Sequence, residues 1–304
     1  METGRSDFLL SSYCADQGPV LFALRRAGPF WFDNLAPLLA QKRWSRFEAE
    51  CGIDKSNYAT ARVLEGSPAV ECNVIGYLQG PIADTQQPIM VECLRSNLTQ
   101  RYREMGLEFY SADEIVGLNL LHMLDRAIKI IAGVQGAAIA VSAVLSAVHI
   151  LKSKSPDYDV SYSEPALPFS IFVGIDPRVP FNRDLRLAES ILHECMHLQL
   201  TLIEESISLI AFNNEHHLSP WRQTLRPTYG VLHALYVFRV IQDFFGAALS
   251  GLNLSDNERR HIRHRLREID SEVEQMGNLS ASQDLTCAGR ALVARLQIGN
   301  NLQS

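Results

Sequence analysis

Two histidines one helical turn apart, His193 and His197, flank an acid in the run His193-Glu194-Cys195-Met196-His197. On a helix each residue advances about 100° and 1.5 Å, so the second imidazole leaves the same face as the first, about 6 Å further along. Two imidazoles so placed can grip one divalent ion. Glu194 stands beside the pair. Ser190, Thr201 and Glu204 share the histidine face, while Ile191, Leu192, Cys195, Leu198 and Leu202 cover most of the rest. A helix apolar almost all round is buried, and a polar stripe of two histidines and a glutamate inside it needs a partner, which a cation supplies. Cys195 projects to the opposite side and belongs to the core, not to the ligand set. The motif also arises by chance in unrelated helices, where the histidines only bond to their neighbours.

A third ligand must come from elsewhere. Glu204 is on the right face but about 10 Å along the axis from His197. The metzincin spacing would put a third histidine at position 203, which is Ile. Glu215 falls where a glutamate zincin carries its acid, but it sits in the polar run Asn213-Asn214-Glu215-His216-His217 with no helical pattern after it. His233 opens the apolar run Val231-Leu232-His233-Ala234-Leu235-Tyr236-Val237-Phe238, close enough to the motif to pack against it. A lone histidine on such a helix is usually core. His233 is nonetheless the favoured third ligand, with Glu215 and then His216 or His217 as alternatives.

Two chemistries compete for such a site. With zinc, Glu194 would be the general base on a metal-bound water, and the reaction would be peptide or amide hydrolysis. With iron(II), three protein ligands leave room for a 2-oxo acid and O2. That second chemistry needs a cation for the distal carboxylate, and the planar fork of arginine suits it. Arg222 and Arg226 lie just before His233; either could also be an ordinary surface residue. A metal-free module that binds a peptide is the third possibility.

These residues must be positioned by a mainly α scaffold with a minor β component. Ser111 before Asp113 and Glu114 predicts a helix start, with helix through about Ala132. Ile130 to Leu151 lacks Asp, Glu, Lys and Arg and is long enough to span a bilayer. Its Ala, Gly and Ser content, with breaks at Gly133 and Gly136, predicts instead a helix end, a turn and a buried helix from about Ala137. His122 and His149 are expected as core histidines. A loop over 152–168 leads to a strand, Phe169 to Val173. The motif helix should run from about Asp184 to Ile210, followed by the polar loop and an extended connection over 219–227. Further helices are expected over 229–249, 257–276 and 282–297. The division expected is an N-terminal region, 1–110, which could serve peptide recognition, and a helical metal-binding catalytic region, 111–304, the two being able to form one continuous domain.

Bulk composition excludes some classes. The chain has 304 residues, 47% hydrophobic and 20% charged, enough for a sizeable core. A net charge of −6 argues against nucleic-acid binding. The one basic cluster, Arg259 to Arg267, is mixed with Glu258, Glu268 and Asp270 and is expected as a solvated helix face. Six scattered cysteines without a CxxC pair, and an N-terminus unlike a signal peptide, point to a reduced, cytoplasmic protein with no membrane partner. Oligomeric state is not legible.

The run from Leu187 to Glu204 resembles the 2-oxoglutarate-dependent HExxH-type peptide β-hydroxylases associated with ribosomally made, post-translationally modified peptides. The resemblance extends upstream to Tyr162-Ser163-Glu164-Pro165 and Leu167-Pro168-Phe169-Ser170-Ile171-Phe172. Downstream it takes in Trp221-Arg222, Leu225-Arg226-Pro227 and Gly230-Val231-Leu232-His233. It covers about ninety residues, roughly 150–240, and nothing in the first 110. It implies iron(II), 2-oxoglutarate, O2 and a precursor-peptide substrate, with His193, His197 and His233 on the iron. It implies Arg222 or Arg226 on 2-oxoglutarate, and Glu194 orienting a ligand or a water. Many 2-oxoglutarate oxygenases use a jelly-roll; this chain lacks the strand spacing of one, so its site must sit on helices.

Overall fold

A computed structural model of the chain describes residues 18–26, 29–66, 73–82, 88–155, 160–179 and 181–298. The fold is mainly α, about 59% helical with 13% strand, so the helices carry most of the packing. In chain order the helices are α1 (Ala36–Cys51), α2 (Thr60–Glu65), α3 (Ser96–Glu104), α4 (Ala112–Gly117), α5 (Leu120–Ala132), α6 (Gln135–Val144), α7 (Arg183–Ser206), α8 (Thr228–Gly251), α9 (Asp256–Gln275) and α10 (Cys287–Ile298). The strands are β1 (Val74–Leu78), β2 (Ile89–Glu92), β3 (Ala147–Lys152), β4 (Ser161–Tyr162), β5 (Ser170–Ile175), β6 (His216–Ser219) and β7 (Thr224–Pro227).

Five strands form one sheet in the order β1-β2-β3-β5-β4. The inner three are parallel, and the edge strands β1 and β4 run antiparallel to their neighbours. Strands β1 and β2 lie before residue 110 and the other three after it, so one sheet joins the two regions. Alternate residues face opposite ways along a strand. Val148, Ile150, Ile171 and Val173 therefore face the main helical core, while Leu151 and Phe172 meet Tyr102 and Leu167 on the other face.

Local signals account for most boundaries. Ser111 and Glu114 form a reciprocal capping box at α4, as do Ser255 and Glu258 at α9. Pro227 ends β7 and precedes the first turn of α8. The expected helix from Ser111 to Ala132 is broken by Asn119, whose φ of 55° stops α4 and restarts the chain as α5. Helix α7 ends at Ser206, not Ile210. There Leu209 and Ile210 leave the helix to pair with Leu285 and Thr286 before α10.

Three expectations need correction. The last five residues of the uncharged stretch 130–151 belong to strand β3, not to a helix. A strand buried on both faces has no alternation to betray it. His122 is exposed on α5 and bonds to Arg126 one turn on. The basic cluster is only partly a solvated face. Arg259 donates to the carbonyls of Leu249, Leu252 and Leu254 at the end of α8. Arg265 turns inward to Glu189 at 2.8 Å.

Among the described residues, one helix is long and apolar enough to cross a membrane, α8. Its most apolar window is 67% buried inside the fold, which is how a core helix is disposed. The four cysteines among the described residues are unpaired, and Cys195 is buried, as expected.

His149 is fully buried, as expected of a core histidine. It lies against Phe172 and shares a hydrogen bond with the Thr60 hydroxyl at 2.9 Å, beside Glu92. Burial holds its imidazole down at about 3 and pushes the Glu92 carboxyl up. The unfolded chain binds a proton at His149 near pH 6.5, and the folded chain does not until about pH 3. Stability from this group is thus complete above pH 6.5 and falls as pH drops towards 3, by up to about 1.4 kcal/mol per pH unit. Glu92 acts oppositely, favouring the fold as pH falls through its raised value. Denaturant titrations of wild type and His149→Gln at pH 7 and pH 5 test the prediction. The wild type should lose about 1–2 kcal/mol more than the variant between the two; equal losses would refute it.

Candidate metal centre

The polar stripe of α7 forms the floor of a cleft of about 770 Å³. Residues 160–165 at the β4 edge make one wall, and the opposite wall comes from the start of α8 and from α9. Strands β6 and β7 pair as a hairpin between α7 and α8 and carry Ser219, Trp221, Arg222 and Arg226 to the rim. This hairpin occupies what the sequence suggested was a loop and an extended connection. A larger cavity, about 1420 Å³, lies between α8, α9 and α10. It is lined by no histidine or cysteine, so the chemistry-bearing side chains gather in the smaller one.

The structure brings His193, His197 and His233 together. The Nε2 atoms of His193 and His197 lie 3.2 Å apart. Two donors at about 2.1 Å from one ion are separated by about 3.0–3.4 Å at ordinary bond angles, so this pair has the bite of a metal site. Burial, with the Arg265 and Arg222 guanidiniums nearby, holds the His193 imidazole down at about 4. Burial and the neighbours His193, His233 and Arg226 hold His197 well below its usual value. Both rings are therefore neutral near pH 7, which is the form that binds metal.

His233 flanks this pair. Its ring lies nearly parallel to that of His197, and the two Nδ1 atoms are 3.3 Å apart. The three rings thus stand in a row, and among the described residues no three His, Cys, Asp or Glu side chains enclose a common point as they stand. The other nitrogen of His233 meets the Glu204 carboxylate at 3.0 Å. A carboxylate behind an imidazole is the usual means of fixing the orientation of a metal-binding histidine. The His193 and His197 nitrogens have a separation that one ion could bridge, but His197 faces His233 with its other nitrogen, so the three rings do not converge on one ion as they stand.

Glu215, His216 and His217 lie away from this row. Glu215 accepts from Ser282 at 2.5 Å, and His217 pairs with Thr228 at 3.1 Å. These contacts anchor the hairpin through Asp284, which also bonds to Thr228.

Glu194 is 3% exposed, and both its oxygens are engaged. Ser161 donates to Oε1 at 2.6 Å and Ser163 to Oε2 at 2.7 Å. Burial pushes its carboxyl up to about 7, against the two hydroxyls and Arg222, which pull it down. Neither serine could be singled out from the motif; Ser161 lies on β4 and Ser163 just beyond its end. The role of Glu204 behind His233 was likewise hidden, because it needs α8 to pack on α7.

Arg222 and Arg226 are exposed at the cleft, and neither side chain is bonded to another described residue. A side chain at Gly230 would come within 3.2 Å of the Arg226 guanidinium, so the glycine lets that cation lie against α8. Trp221 stacks on Phe238, whose ring also lies near His193. The chain matches no protein-family model and none of the curated proteins.

Proposed function

We propose that the chain is an iron(II)- and 2-oxoglutarate-dependent oxygenase that β-hydroxylates a side chain of a ribosomally made precursor peptide in the cytoplasm. One observation carries this reading. Two unpaired guanidiniums, Arg222 and Arg226, line the same cleft as a pair of neutral imidazoles with metal-binding separation. A dicarboxylate co-substrate needs a cation beside the metal, whereas amide hydrolysis does not. The resemblance of residues 150–240 to the HExxH-type peptide hydroxylases supports the same conclusion.

His193, His197 and His233 would hold the ion. When bound, iron(II) would supply the O2-dependent oxidation of 2-oxoglutarate to succinate and CO2, one oxygen atom going into succinate and the other into a C–H bond of the substrate. Arg222 or Arg226 binds the distal carboxylate of 2-oxoglutarate and sets its orientation. Trp221 and Phe238 exclude water from the His193 side. Glu194 positions the wall carrying Ser161 and Ser163. Each Glu194 oxygen accepts one serine hydroxyl, which ties the carboxylate to that wall; the choice between oxygenase and zinc amidase rests on the two arginines.

The test is anaerobic addition of iron(II) and 2-oxoglutarate to the purified protein, with the weak visible charge-transfer band as readout. Admission of O2 should then release succinate. Glu194→Gln keeps a group that can bond to both serines and is expected to retain the band and more than about a tenth of the succinate release. A general base contributes about 10²–10⁴-fold, so zinc-dependent amide cleavage lost to that extent in the same variant, with no band, would establish the hydrolase instead.

A further inference from the structure

Strand β4 is a sheet edge that opens on the cleft. Its pairing with β5 sets which backbone groups are used. The Gly174 N–H donates to the Val160 carbonyl, and Ser161 lies opposite Val173 and Tyr162 opposite Phe172. In an antiparallel ladder, residues alternate between bonded and non-bonded pairs. Val160 bonds to β5, so Ser161 turns its N–H and C=O outward. No described residue bonds to either group. The Ser161 hydroxyl points instead down to Glu194, and through it this wall is fixed to α7 beside His193, 3.9 Å from the Glu194 carboxylate. An outward N–H and C=O on a rigid edge are a template for another strand.

We propose that the substrate docks as an extended peptide segment added to the outer edge of β4, pairing its backbone with Ser161. This rests on the oxygenase reading only in taking the substrate to be a peptide. The pairing also selects the residue that reacts. Residues directly opposite in neighbouring strands point to the same face, about 5 Å apart. The side chain opposite Ser161 therefore points down, as Ser161 does, towards the His193/His197 pair. Its neighbours on either side point away. Register against Ser161 thus decides which β-carbon is oxidised, and Glu194 is a positioning residue that holds this edge in place. With two cations at the rim, Arg222 and Arg226, the cleft has a charge for an acidic residue beyond the one that meets the distal carboxylate of 2-oxoglutarate.

The test uses a displayed library of random dodecapeptides, selected on the full chain without iron or 2-oxoglutarate and counter-selected on Ser161→Pro. Proline removes the outward N–H yet is tolerated on an edge strand whose N–H faces away from the sheet; a thermal melt confirms that the variant folds. The best peptide is then resynthesised with single N-methyl groups along its length. Docking against Ser161 predicts a loss of about tenfold or more at the one amide whose N–H meets the Ser161 carbonyl, and little change at the amides on either side. Ser161→Ala loses the hydroxyl bond to Glu194 but keeps the N–H, so Ser161→Pro should bind at least about tenfold more weakly than Ser161→Ala. Absence of any peptide that survives counter-selection, or a scan with no single sensitive amide, overturns the proposal. With iron(II), 2-oxoglutarate and O2 added, mass spectrometry should find the new oxygen on the residue that carries the sensitive amide. A sensitive amide with no oxygen gained would sink the oxygenase reading and leave strand docking standing; oxygen on a neighbouring residue, whose side chain faces the other way, would refute the register.

Discussion

Alanine in place of His197 is expected to weaken iron(II) binding more than about a hundredfold and to abolish succinate release. His197 is the middle ring of the row. One of its nitrogens faces His193 at 3.2 Å and the other faces His233 at 3.3 Å. Removing either outer histidine leaves one close pair, whereas removing His197 leaves none. Loss of a group that merely supports a metal ligand costs about 10–100-fold in affinity, and loss of the central donor must exceed that. The ring is half-buried, so its truncation should lower stability by only about 1–2 kcal/mol. Metal content after anaerobic reconstitution and a thermal melt of the metal-free protein separate the two effects. If the variant binds iron(II) within tenfold of wild type, the motif pair does not form the core of the site.

The largest effect on stability is expected far from the cleft, at Gly289 on α10. A Cβ there would lie 2.0 Å from the carbonyl oxygen of Leu209 and 2.9 Å from its carbon. Both are backbone atoms, and the segment has little freedom to retreat. Its carbonyl accepts from Thr286, Ala211 donates to the Asp284 carbonyl, and Gly289 itself donates to the Thr286 hydroxyl. Gly289→Ala must push α10 off this segment and break some of these bonds. Overpacking costs about 1–3 kcal/mol, and each buried bond left unmade adds to it. A loss of about 3–4 kcal/mol is expected, which lowers the melting midpoint by roughly 6–12 °C in a domain of this size. A midpoint within about 1 °C of wild type would show that α10 is not held as described. The same displacement would loosen the hairpin through Asp284, so cleft binding should weaken before the protein unfolds.

What the sequence disclosed about the site followed from distances along the chain. His193 and His197 share a face because a helix repeats every 3.6 residues. His233 was reachable because α8 follows soon enough to pack back on α7. The partners of Ser161, Ser163 and Glu204 became visible only when strand and helices were brought together, since nothing near these residues in sequence marks them. The start of α4 was legible because a cap announced it at Ser111. Strand β3 was not, because Ala147 to Leu151 is buried on both faces and has no period to distinguish it from a buried helix. Helix α10 was placed about five residues early because the turn at Leu279–Ala281 and the pairing of Leu285 are tertiary, not local.

Helix α8 has the length and apolarity of a membrane span, yet α9 and α10 cover it once folding is complete. During synthesis that cover arrives late. Roughly fifty further residues must leave the ribosome before α10 is whole, about 3–10 s at ordinary elongation rates. Throughout that interval a nascent chain exposes a segment that targeting machinery could mistake for an insertion signal. Arg239 and Asp243 interrupt it near its middle, and a charge there opposes entry into lipid by about 2.5–3.5 kcal/mol each. In the finished protein Arg239 bonds to the Leu296 carbonyl of α10, so a residue whose charge opposes entry of the nascent helix into lipid later fastens the helix that conceals it.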